Sequence, residues 1–226
     1  EISKFTLVIL SQLLDKEPTL MDYFNSINLY EQLISNFLTS DHHYISGVSC
    51  FMLCQFVYLN NDNSASIFPI LFQFVSNGDI HAVSKLFQSF LFFSQKSPEF
   101  LLSLISCEFC QLSAITLSNT ASNSSGIALS IFSILHLVAT SDIGIQSIQS
   151  ANIIHAIIEF NYLDPSNEPQ LLSSVMNLLS LLVQKAEPNI DQQLITDHIL
   201  EVCSELATTT SYGISIDYLI FICTSL

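Results

Sequence analysis

Polar turns divide this chain at nearly equal intervals, and that periodicity constrains its fold more than any single motif. The turns that precede the long apolar runs fall at Asp41, Asp79, Ser124, Pro165 and Tyr212, in steps of 38, 45, 41 and 47 residues. Between them, apolar residues recur at helical spacing. Phe5, Val8, Ile9 and Leu13 form one stripe, and Leu29, Leu33, Phe37 and Leu38 another. Ile45, Val48, Met52, Phe56 and Leu59 form a third, and Val83, Leu86, Phe87, Phe90 and Phe93 a fourth. Later runs span Cys107–Leu117, Ile127–Ala139, Ile143–Ile148, Asn152–Phe160, Leu171–Val183, Leu194–Leu206 and Ile214–Phe221. Ser97-Pro98-Glu99 and Ser141-Asp142 read as helix starts, with serine as the N-cap.

Strands compete only weakly. Gln111–Leu117 and Ile214–Ile222 are rich in β-branched residues, yet hairpin turns are missing. The lone Asn77-Gly78 has flanks that fit a period of 3.6 better than 2. An all-α chain is expected. A helical unit of roughly 43 residues cannot bury its apolar face alone, so units must stack.

Composition supports a packed fold and excludes several functions. Half of the 226 residues are hydrophobic and 11% are charged, which rules out intrinsic disorder. The 34 serines and 14 asparagines are expected to solvate the surface in place of charge. The net charge is -15, with five lysines and no arginine. Nucleic acid is excluded as a partner, because phosphate neutralisation needs many cations on one face. Mean hydropathy is +0.50, but the best membrane candidate, Gly126–Thr140, is shorter than the ~20 residues a span requires. No membrane span is expected. The start lacks Met and signal-peptide character, and the end stops within an apolar run, so a segment of a longer chain with flanking repeats is expected.

One stretch carries a specific likeness. Ala151–Phe160, the turn Asp164-Pro165-Ser166-Asn167-Glu168 and Leu171–Leu182 together resemble one armadillo unit: a second helix, a short turn and a long third helix. Asn28–Tyr58 is similar. The short runs Pro98–Ile105 and Ser141–Gln149 match the family's first helix. The resemblance to the armadillo/HEAT family implies an all-α, right-handed α-α superhelix, a solenoid of about five repeats. A single repeat domain over residues 1–226 is expected. In importin- and catenin-type relatives the third helices line a concave surface. There a tryptophan, and an asparagine four residues later, grip an extended peptide. The tryptophan positions fall on Phe51, Gln88, Phe132 and Met176, and the asparagine positions on Gln55, Phe92, His136 and Ser180. None of these is Trp or Asn.

Chemistry-bearing residues form no recognisable site. Cys50 and Cys54, or Cys107 and Cys110, share helix faces, but each pair is half of a four-ligand zinc site. Their spacing also suits no disulfide. His136, His155 and His198 sit singly among apolar neighbours. No HExxH, GxSxG, P-loop or GxGxxG occurs. No catalysis, metal or cofactor is expected. Asp197, Glu201 and Glu205 lie at i, i+4 and i+8, an acidic ridge that fits a basic protein segment. The expected function is a protein-binding scaffold in the cytoplasm of a eukaryotic cell, with the nucleus as an alternative compartment. The competing reading is a structural or regulatory segment of a larger protein whose activity lies elsewhere.

Overall fold

A computed structural model describes residues 2–38, 40–120, 124–164 and 167–185. Among the described residues every regular element is a helix. The chain divides into two compact units, Glu1–Cys107 and Glu108–Leu226.

The first unit opens with α1 (Ile2–Lys16) and the short α2 (Leu20–Ser26). Helix α3 (Leu29–Gln32) runs into a π-helical stretch, Leu33–Leu38. Helix α4 (His43–Leu59) follows, then a 3-10 turn at Asn61–Asn63, α5 (Ser64–Asn77), α6 (Ile80–Lys96) and α7 (Pro98–Ser106). Helix α4 lies between α1 and α6 and packs on both. The second unit holds α8 (Phe109–Thr120), α9 (Ser125–Val138), α10 (Asp142–Ser150), α11 (Ile153–Glu159) and α12 (Pro169–Lys185). There α9 packs on α12, and α8 on α11. The expected runs Leu194–Leu206 and Ile214–Phe221 lie outside the described residues.

Local chemistry explains where the helices begin. The Asp79 carboxylate accepts from the His81 N–H at 2.9 Å and caps α6. Ser97 Oγ accepts from the Phe100 N–H at 3.1 Å, with Pro98 at the first position of α7, where its missing N–H is harmless. Ser141 Oγ accepts from the Gly144 N–H at 3.1 Å and caps α10.

A left-handed residue marks the same point in three repeats. Asn28, Glu108 and Asn152 have φ of 53°, 69° and 56° and stand immediately before α3, α8 and α11. Each carbonyl accepts the N–H four residues on, at 3.1, 3.1 and 3.2 Å, and so starts the next helix. Asparagine tolerates this conformation; glutamate does not. Replacing the exposed Glu108 by asparagine should therefore stabilise the fold by about 1 kcal/mol. Urea unfolding would show a raised midpoint, and an unchanged one would deny the strain.

The serines do not all go to the surface. Ser46, Ser49, Ser89, Ser94, Ser113, Ser130 and Ser180 are buried, which corrects the expectation that serine merely solvates. Several donate to the carbonyl four residues back: Ser49 to Ile45, Ser89 to Lys85, Ser113 to Phe109 and Ser130 to Gly126, at 2.7–2.9 Å. A hydroxyl satisfied inside its own helix can be buried at little cost.

Candidate functional site

In the first unit a groove of about 750 Å³ runs between α1, α4 and α6. Helix α1 contributes Val8, Ser11 and Gln12. From α4 come His43, Gly47 and Phe51, spaced by one helical turn, with Tyr44 and Val48 beside them. From α6 come His81, Lys85, Gln88 and Phe92, with Ser89. The spacings 0, 4, 7 and 11 keep the α6 residues on one face.

The groove joins an aromatic end to a polar one. Phe92 is 40% exposed, and its ring lies 5.7 Å from that of the half-buried Phe51. Both rings rest on the buried Phe93, at 5.1 Å each. The Lys96 ammonium sits 4.1 Å above the Phe92 ring centroid, a cation–π contact. Lys85 Nζ donates to Gln88 Oε1 at 2.9 Å. Its stem runs over Gly47, where a Cβ would come within 3.2 Å of Lys85 Cβ and Cγ. The absence of a side chain at position 47 thus leaves room for the lysine stem against α4. At the other end the rings of His43 and His81 lie 5.3 Å apart, tilted by 50°.

Of the eight groove positions expected from sequence, the structure brings Phe51, Gln88 and Phe92 together on this surface. Gln55 is turned inward, 3% exposed. Its Oε1 accepts from Ser11 Oγ at 3.1 Å, and its Nε2 donates to the Ser11 carbonyl at 3.2 Å. This amide fastens α1 to α4 and is not presented to a ligand, a correction to its expected role. In the second unit Phe132, Met176 and Ser180 are also interior, which corrects their placement on a groove. Phe132 packs edge-on against Tyr162 at 5.2 Å, and Tyr162 in turn donates to the Leu117 carbonyl at 2.8 Å. His136 is half-buried, and neither its Nδ1 nor Ser180 Oγ has a hydrogen-bond partner in this structure. Asp197, Glu201 and Glu205 lie outside the described residues.

His43, His81 and Lys85 were not anticipated. A signal existed: Asp41-His42-His43 and Asp79-Ile80-His81 repeat Asp-x-His at the 38-residue step. The cysteines offer little chemistry. Cys50 and Cys54 are fully buried, and burial pushes both thiols far up, away from the thiolate that metals and electrophiles need. Burial also raises the Cys110 thiol, partly offset by a hydrogen bond with Ser147. Among the described residues no group of three or more His, Cys, Asp or Glu could hold a metal. Among them, too, no single helix is long and apolar enough to cross a membrane.

Solved structures match this architecture. A designed armadillo repeat protein in complex with the peptide (KR)4 superposes with a TM-score of 0.64 at 11% identity, covering 97% of this chain and 90% of its own. The fold is an armadillo-like helical repeat. Two engineered proteins match at TM-scores of 0.61 and 0.60, each 14% identical. They are covered over 78% and 46% of their lengths and cover 86% and 85% of this chain. No protein-family model and no curated protein matches the sequence.

Proposed function

We propose that this armadillo-like chain is a non-enzymatic scaffold that binds protein segments. Residues 1–226 would form one repeat domain within a longer protein, with the cytoplasm as its compartment. The observation that carries the reading is the Phe51–Phe92 pair, held open to solvent in the α1/α4/α6 groove. Exposed aromatic anchors in a preformed groove are the usual energetic centre of a peptide interface. The peptide held by the designed armadillo repeat protein supports the same mode. The finer reading is a basic segment, drawn by the charge of -15 toward the ridge of Asp197, Glu201 and Glu205.

The groove is tested by selecting displayed peptides on the whole chain and comparing them on a Phe92→Ser variant. The selected peptides should bind the variant roughly tenfold more weakly or worse, as expected for loss of a hot-spot aromatic. Equal binding to both proteins would remove the groove as the docking site.

A further inference from the structure

The groove differs in charge from the chain that carries it. Against twenty carboxylates there are five lysines, and four of them (Lys4, Lys16, Lys85 and Lys96) lie in the first unit. Lys85 lines the groove, with His43 and His81, and among the described residues no Asp or Glu does. Lys96 stands on the Phe92 ring at its edge. The nearest carboxylates in sequence, Asp41 and Asp79, line a separate cavity with Phe74 and Asn77. Asp79 is further engaged as the cap of α6. Lys85 gives one hydrogen bond, to Gln88, and its ammonium has two more N–H groups to offer.

We propose that the α1/α4/α6 groove takes an extended protein segment carrying a carboxylate beside a large apolar side chain. This rests on the docking reading above and names its chemistry. The apolar group seats against Phe51 and Phe92. The carboxylate meets Lys85, and the imidazole N–H groups of His43 or His81 are near enough along the groove to share it. Gln12, Gln88 and Ser11 supply neutral polar groups for the segment's backbone. The net charge of -15 does not forbid this. At physiological ionic strength charges beyond about 8 Å are largely screened, so the charges that line the groove act on a bound segment more than the distant net charge does. A basic segment would meet Lys85 in the groove and Lys96 beside Phe92, and be repelled.

The test uses the whole chain and short fluorescein-labelled peptides that alternate tyrosine with aspartate, serine or lysine, read by fluorescence anisotropy. The aspartate probe should bind about tenfold more tightly than the serine probe at low salt, and the lysine probe most weakly. Lys85→Glu should reverse the order of the aspartate and lysine probes, and Lys16→Glu, at an exposed position that does not line the groove, should leave it unchanged. Circular dichroism would confirm that both variants stay helical. The proposal is overturned if the serine probe matches the aspartate probe, or if Lys85→Glu leaves the order intact. If the serine or lysine probe binds best and Phe92→Ser abolishes that binding, the docking groove survives and its acidic preference falls. If no probe binds, both readings fall. A dimer of the chain alone, broken by Lys85→Glu, would place a second copy in the groove and also overturn the proposal.

Discussion

Gly144→Ala should unfold or severely destabilise the second unit. Gly144 is buried near the start of α10, where its N–H meets the Ser141 cap. The chain turns from α9 into α10 so tightly that a Cβ at this position would overlap the Val138 carbonyl oxygen and lie 2.6 Å from its carbon. Both atoms belong to backbone at the end of α9, so no side chain can swing aside. The Val138 carbonyl also accepts from the Ser141 N–H at 3.2 Å, and relief by shifting it would break this turn. The residue is glycine for space, since its φ is not positive. Overpacking against backbone should cost roughly 3 kcal/mol or more. Urea titration followed by circular dichroism would show a lower midpoint and lost helical signal. A midpoint within error of the parent would show that α10 can move freely from α9.

Phe68→Ala should produce a comparable loss in the first unit. Phe68 on α5 is fully buried and meets Phe100 of α7 edge-on at 5.3 Å and Phe90 of α6 edge-on at 5.9 Å. Phe72 stacks beside it at 6.0 Å. One ring thus joins three helices. Truncation removes the transfer energy of the ring and leaves a cavity that rigid aromatic neighbours fill poorly, a cost of about 3–5 kcal/mol. Phe68→Leu should recover much of this. A Phe68→Ala protein with an unchanged unfolding midpoint would mean that the cluster adds nothing to stability.

The long helices were legible because their apolar faces repeat at the helical period over many residues. Helix α6 is the clearest case, with Val83, Phe87 and Phe90 buried and Lys85 and Gln88 exposed on the opposite side. Helix α2 was missed. It is seven residues long and buries only Met21 and Phe24, too few to establish a period. The π-helical stretch Leu33–Leu38 has no apolar signature that separates it from an α-helix. Asn28 and Asn152 suit left-handed turns by residue type, whereas Glu108 gives no such hint. The groove was legible in part, through the family resemblance. Phe51, Gln88 and Phe92 line the groove, whereas Gln55 is buried. A position four residues from Phe51 falls on the same helix face, but there α1 takes the Gln55 amide for Ser11. Lys85 escaped notice because a lone lysine on a helix reads as solvated. Its setting depends on Gly47, which sits 38 residues away.

The buried serines have a consequence for how such a chain can change over time. Ser49, Ser89, Ser113 and Ser130 each close their hydrogen bond inside one helix. Apart from links such as Gln55 to Ser11 and Tyr162 to Leu117, they ask nothing of a neighbouring helix. Exchange of any of them for alanine or cysteine leaves no widowed donor across an interface and needs no matching substitution elsewhere. Interior positions of this kind are free to drift one at a time. The sequence can then change widely while the stacking of helices persists.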